Sequence, residues 1–185
     1  MKYKIYSKEL IGKVAYKLVL RKGFRNITAL RVAEQIGCST QPIYHNFENM
    51  KELKEYVLKM IWEKIVHHCK KNSLSDKLED FIVECIHYYL LNDNIYKICW
   101  ESGMHEVSYF YRLSEEYMLD NFLKDATLTN IDKIKFHFET NLFVHGIIKM
   151  NNSKIRVFSR EEITKMVDRQ VKLLISDYQV KLIEG

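Results

Sequence analysis

Ser39, Thr40, Gln41, Tyr44, His45 and Asn46 put six hydrogen-bonding side chains into eight consecutive positions, with Pro42 among them. Hydroxyls, amides and an imidazole at this density suit the reading of polar edges on a partner rather than the breaking of bonds. Catalysis would ask for a nucleophile, a base and an orienting group. The motifs that announce such sets, G-x-G-x-x-G, the P-loop, G-x-S-x-G and H-E-x-x-H, are all missing, so the expectation is a protein that is not an enzyme. His67, His68 and Cys69 are adjacent, but neighbouring helical residues point about 100° apart and cannot converge on one ion. The four cysteines, at 38, 69, 85 and 99, lack zinc-ligand spacing and read as reduced, mostly buried thiols; no metal and no cofactor is expected.

Side chains so close together in sequence act on one partner only if a helix presents them on one side. Thr28 can cap such an element: its hydroxyl can accept a backbone N–H with no helical partner, and Leu30, Ala33 and Ile36 then recur at helical spacing. Gly37 ends that helix, because glycine takes the left-handed conformation a helix C-terminus often needs. Ser39 can cap the next one, with Pro42 tolerated in its first turn. Helix, glycine turn and helix is the helix-turn-helix order. Ile43 and Phe47, four apart, can anchor the second helix inward, which leaves Thr40, Gln41, Tyr44 and His45 projecting from its N-terminal end toward a groove.

The charge agrees with a polyanionic partner. Residues 1–72 hold 15 Lys and Arg against 6 Asp and Glu, a net of +9, and the remaining 113 residues carry −4. Neutralising phosphates is the sequence-independent part of DNA affinity, so a basic front carrying this motif points to duplex DNA.

Here the chain resembles the tetracycline-repressor-like (TetR) family of transcriptional regulators. The match runs through Val32-Ala33, Gly37-Cys38-Ser39, Ile43-Tyr44, Phe47 and Leu53 and covers about residues 8 to 55. Cys38 stands where Val is common, and Met50 where the family has a lysine, with Lys51 one position later. The resemblance implies DNA contacts from Thr28, Ser39, Thr40, Gln41, Pro42, Tyr44, His45, Asn46 and Lys51. It also implies a ligand chamber in the body, for which His87, Tyr88, Trp100, Tyr109, Tyr111, Phe138 and His145 are the candidates: an apolar, aromatic lining with a few polar tips is how small organic ligands are held.

Other parts of the chain must position and pair these groups. Residues 7 to 22 form a first amphipathic helix that begins at Ser7 and ends at Gly23. Asn49 with Glu52 makes a capping box for a long helix from about Met50 to Cys69, whose N-terminus suits a phosphate. A polar break at 70–75 leads to helices over 76–91, 95–102 and about 106–123. The helix over 131–150 is apolar on two sides, Ile134, Phe138, Leu142 and His145 on one and Phe136, Phe143, Ile147 and Met150 on the other, so it needs covering twice. Ser159 and Glu162 cap a last helix running to about Ile183.

The fold expected is therefore all-α with about nine helices. A helix-turn-helix head spans residues 1–48, a connecting helix 49–72, and a regulatory and dimerisation body 73–185. The last two helices would pair with a second copy through Phe143, Ile147, Val167, Val171, Leu174, Ile175 and Tyr178, giving a homodimer matched to a palindromic operator. No run of about 18 apolar residues offers a membrane span and no signal core opens the chain, so a cytoplasmic protein with no membrane partner is expected. The functional expectation is a repressor released from DNA by a small ligand. A second reading stays open, a helical scaffold whose basic head meets a protein or RNA. Salt dependence of duplex binding separates the two, being steep for the first and slight for the second.

Overall fold

The computed structural model describes residues 6–178. Among them the chain is all-α, with nine helices: α1 (Lys8–Lys22), α2 (Ala29–Ile36), α3 (Gln41–Asn46), α4 (Met50–Asn72), α5 (Leu78–Leu91), α6 (Asp93–Trp100), α7 (Met104–Asn121), α8 (Asn130–Asn152) and α9 (Arg160–Asp177). A single 3-10 turn, Phe24–Asn26, lies between α1 and α2. They pack as two compact units, one of residues 6–64 with 94–111, the other of 65–93 with 112–178; α4 and α7 contribute to both. The continuation of α9 to about Ile183 lies outside the described residues.

In the first unit local chemistry sets the helix ends. The Ser7 hydroxyl accepts from Leu10 N at 3.2 Å and opens α1, and Gly23 closes it at φ 70°. Thr28 Oγ1 accepts from Arg31 N at 3.3 Å, and Gly37, at φ 79° and ψ 45°, closes α2 in the left-handed region. The apolar side of α2 is Ala29, Val32 and Ala33, whereas Leu30 is exposed; the stripe lies one position round the helix from the one its spacing suggested. With Ile11, Ala15, Val19, Phe24, Ile43, Phe47 and Leu53 these residues close a core from which water is excluded, each large side chain contributing about 1.5–3 kcal/mol by burial.

Two features brace α4 in this unit. Gly12 of α1 lies against Tyr56, whose ring atom would be 2.3 Å from any added Cβ, so the close approach of the helices depends on that glycine. Glu52 accepts from Lys8 Nζ at 2.7 Å and from Glu48 N at 2.7 Å, while Asn49 Oδ1 accepts from Glu52 N at 3.0 Å. The expected capping box is thus half formed: the carboxylate reaches the amide one residue earlier and answers Lys8 with its other oxygen. Deeper in the unit Trp62 and Trp100 each stand edge-on to Phe110, at 5.5 and 5.2 Å between ring centroids.

The second unit is built on α5, α8 and α9, around Ile86, Phe136, Ile147, Ile148, Ile163, Val167, Val171 and Leu174. Ser159 and Glu162 form a complete capping box at the start of α9, and Arg160 beside it pairs with the buried Glu84 of α5. Cys69 and Cys85 face each other as thiols, sulfurs 3.3 Å apart; that contact, and then burial, push the Cys85 thiol well above its ordinary value. No helix among the described residues is long and apolar enough to cross a membrane.

His137 of α8 lies wholly inside this unit. Ser114 Oγ is 3.0 Å and Asn141 Nδ2 2.7 Å from its Nε2, so that nitrogen accepts, and the proton falls on Nδ1, which faces the Glu115 carboxylate at 3.6 Å. Burial holds the imidazole down at about 4. The unfolded chain, with an ordinary histidine near 6.5, binds the extra proton first, so stability is full above 6.5 and lost as pH falls toward 4. From pH 7 to pH 5 the unfolding free energy should drop by roughly 2 kcal/mol from this residue, at ~1.4 kcal/mol per pKa unit. His145, also lowered to about 4 by burial and by Lys149, acts in the same sense. Urea titrations of the wild type and His137→Gln at both pH values check this; equal losses in the two proteins would remove His137 as the cause.

Candidate nucleic-acid interface

The turn at Gly37 sets α3 on the surface of the first unit. Ile43 and Phe47 are buried, 1% exposed each, and fix its inner side. A six-residue helix gets little from its own hydrogen bonds, since nucleation is costly, so these two anchors hold it in place. Ser39, Gln41, Tyr44 and His45 are exposed, Tyr44 by 54%, while Thr40 and Pro42 are half-buried. The start of α3 differs from expectation: Thr40, not Ser39, is the capping residue, its backbone is already helical, and no side chain caps the helix. Ser39 and Thr40 hydroxyls are therefore not used up in holding the helix end.

Thr28 and Asn46 are engaged within the fold. Thr28 holds the Arg31 amide, and the Asn46 amide donates to Tyr6 O at 2.9 Å and to Pro42 O at 2.8 Å, tying the segment before α1 to α3. Lys51 is exposed in the first turn of α4. Lys13, Lys17, Arg21, Lys22, Arg25 and Arg31 add further exposed cations to this unit. Arg31 reaches back to Asn26 O at 2.8 Å, which orders its guanidinium without neutralising it.

The seven ligand candidates are divided between the two units. Trp100, Tyr109 and Tyr111 belong to the first unit, where Trp100 packs on Phe110 and Tyr109 lies 6.5 Å from His105. His87, Tyr88, Phe138 and His145 belong to the second; Tyr88 stands edge-on to His68 at 4.9 Å, and Phe138 is turned to the outside. Of the seven dimer candidates, Ile147, Val167, Val171 and Leu174 are enclosed by the unit's own core. Tyr178 donates to Glu139 at 2.8 Å, and Phe143 and Ile175 are half-buried. The face of α8 left open carries Ile131, Ile134, Phe138 and Leu142 instead, 45–65% exposed.

Sequence reasoning missed the groups around a cavity of about 250 Å³ in the second unit, among them Lys70, Lys77, Phe81 and Phe122. In sequence the run 70–75 reads only as a polar break. Its one available signal was two lysines flanking a serine-rich turn just before an aromatic helix. Among the described residues no three His, Cys, Asp or Glu side chains are grouped to hold a metal ion.

No family model and no curated protein matches the sequence. Solved structures do match the fold. The flavonoid-responsive regulator FrrA superposes with a TM-score of 0.63 over 92% of this chain and 95% of its own, at 14% identity. A TetR-family member from Streptomyces coelicolor A3 gives 0.56 over 86% and 95% at 11% identity. NalD of Pseudomonas aeruginosa, the secondary repressor of the MexAB-OprM multidrug efflux pump, gives 0.52 over 89% and 94% at 15% identity. The fold is that of the TetR-type transcriptional regulators. The motif at residues 28–53 falls on α2, α3 and the start of α4 of that fold.

Proposed function

We propose that the protein is a DNA-binding transcriptional regulator of the TetR type, acting in the cytoplasm as a homodimer on a palindromic operator and released from it by a small organic ligand. The observation that carries the reading is α3: a short helix pinned by Ile43 and Phe47, with Gln41, Tyr44 and His45 exposed on a basic unit. Release by a ligand is in keeping with a neighbour named as a flavonoid-responsive regulator, and repression with one named as the secondary repressor of an efflux pump.

Roles divide by reach. Gln41 and His45 are assigned to base edges, Tyr44 and Lys51 to phosphates, and Pro42 to a thymine methyl. Gln41→Ala and His45→Ala should each cost ~1–3 kcal/mol of discrimination at particular base pairs, while Tyr44→Phe and Lys51→Ala weaken binding to every duplex alike. The operator is first selected from bound genomic fragments, and fluorescence anisotropy then compares it with random duplex over a salt series. Equal losses on both duplexes for all four variants would sink the division. A flat salt dependence would favour the scaffold reading instead.

The pairing surface we favour is the exposed side of α8, the stripe Ile131, Ile134, Phe138 and Leu142. A second copy would give this helix the second covering that its two apolar sides require. Two heads must then meet half-sites about 34–36 Å apart, or a multiple of that.

A route from ligand to DNA is available inside the first unit. Lys54 Nζ binds Glu106 Oε1 at 2.8 Å and His105 Nε2 lies 3.0 Å from Glu55 Oε1, so the first turn of α7 is fastened to α4. Only three residues separate α4 from α3. A ligand that prefers one position of α7 would change the spacing of the two reading helices, and DNA would weaken ligand binding by the same factor.

A further inference from the structure

The 250 Å³ cavity lies where the last turn of α4, the turn before α5 and the end of α7 come together, within the second unit. One wall is aromatic. Phe81 stacks on Tyr117 with centroids 5.1 Å apart and planes 27° from parallel, and Phe122 lies 5.3 Å from Phe81. Two cations, Lys70 and Lys77, also line the cavity. Lys70 Nζ sits 5.5 Å from the Tyr117 ring centroid, and among the described residues neither ammonium pairs with a carboxylate.

The surrounding polar groups are arranged around that charge. Ser75 donates to Asp80, whose carboxylate keeps its charge, and its Oγ accepts from Lys77 N at 3.3 Å. Ser73 donates to Cys69 O at 2.8 Å and keeps lone pairs for a further donor. Lys77 is also the residue that precedes α5, whose N-terminus has no side-chain cap, so the positive end of that helix dipole adds to the two ammoniums. Asp76 in the lining and Asp80, held by Ser75, are the opposing charges. The balance favours a guest with one negative charge over a polyanion.

Size and shape narrow the guest further. The volume equals roughly eight waters at ~30 Å³ each, below the ~300–1,000 Å³ of sites for drug-sized ligands, which limits the guest to about one ring. A quaternary ammonium would need the face of Tyr117 that Lys70 covers, and would meet two like charges. An aliphatic acid would leave the aromatic wall without a stacking partner. We infer that the cavity binds a compact aromatic monocarboxylate, its ring against Phe81 and Phe122 and its carboxylate between Lys70 and Lys77. Occupancy needs no DNA, so the inference goes beyond the regulator reading and stands or falls apart from it.

Isothermal titration of the full-length protein, with no duplex present, tests it with sodium benzoate, sodium acetate and benzyltrimethylammonium chloride. Benzoate should bind one per chain, at least tenfold more tightly than either of the others. Lys70→Gln and Lys77→Gln should each weaken benzoate at least fivefold, and Phe122→Leu about as much, while Lys165→Gln, which removes an exposed cation from α9, should leave it unchanged. Lys70 and Lys77 are exposed, so their variants keep the core; melting at the wild-type temperature confirms it. No benzoate binding, the same affinity in both lysine variants, an equal loss in Lys165→Gln, or tighter binding of the ammonium probe would each overturn the assignment. Anisotropy on the operator with and without benzoate then asks separately whether occupancy releases DNA.

Discussion

Phe138→Glu combined with Leu142→Lys yields a folded monomer whose affinity for a palindromic operator is lower by a hundredfold or more. Both positions lie on the open side of α8, away from Phe136, Ile147 and Ile148, so the substitutions leave the unit's own core intact. Glutamate four residues before lysine also supports the helix itself. In a dimer the same charges would be buried in an apolar seam without partners, which association cannot offset. The loss on DNA follows from linkage: once one head is bound, its tethered twin meets the second half-site at high effective concentration, worth about 10²–10⁴ in affinity. Light scattering reads the particle mass and anisotropy the operator affinity. A variant that keeps the wild-type mass counts against this surface. A monomer that binds as tightly as before counts against paired heads.

Lys54→Ala lowers the melting temperature by roughly 6–20 °C, from a cost of about 3–5 kcal/mol for orphaning a buried charge and ~2–4 °C per kcal/mol in a chain of this size. The Glu106 side chain is 7% exposed and Lys54 Nζ is 2.8 Å from it. Burial alone would raise the Glu106 carboxyl, but the Lys54 bond, with a backbone bond, outweighs it and holds the group below its usual range. The stability so gained is present above pH 4.5 and is lost as pH falls through that lowered value. Replacing both partners with apolar residues, Lys54→Met with Glu106→Leu, should recover most of the loss, because the desolvation penalty goes with the charges. Scanning calorimetry on the three proteins decides it. A single variant that melts with the wild type, or a double variant no better than the single, would show that the pair is not what fastens α7 to α4.

What could be read from the residues in order was what neighbours in sequence control. Thr28, Gly37 and the Ser159–Glu162 pair act across three or four positions, and each acts as its spacing predicts. Ile43 and Phe47 declared their side of α3 in the same way. The stripe of α2 and the cap of α3 are off by one position, and the larger misreadings involve partners far away in the chain. Glu52 forgoes half of a local capping box because Lys8, 44 residues earlier, answers it. The two-sided apolarity of α8 was visible, but which side the chain itself would cover depended on how α5 and α9 pack, and periodicity carries no such information. Val171 and Leu174, which spacing alone offers as an outer seam, are therefore enclosed by the unit's own core. The cavity is not legible in the sequence for the same reason, since Lys70 and Phe122 are 52 positions apart and nothing in either neighbourhood points to the other.

The two tryptophans have an optical consequence. Trp62 and Trp100 are the only two in the chain, and both stand edge-on to Phe110 in the unit that holds the reading helix. Excitation at the red edge of indole absorption therefore illuminates that unit alone, while far-ultraviolet dichroism records every helix. A melt followed by both signals carries its own spatial resolution, and any gap between the two curves measures how far the unit without indole holds together by itself.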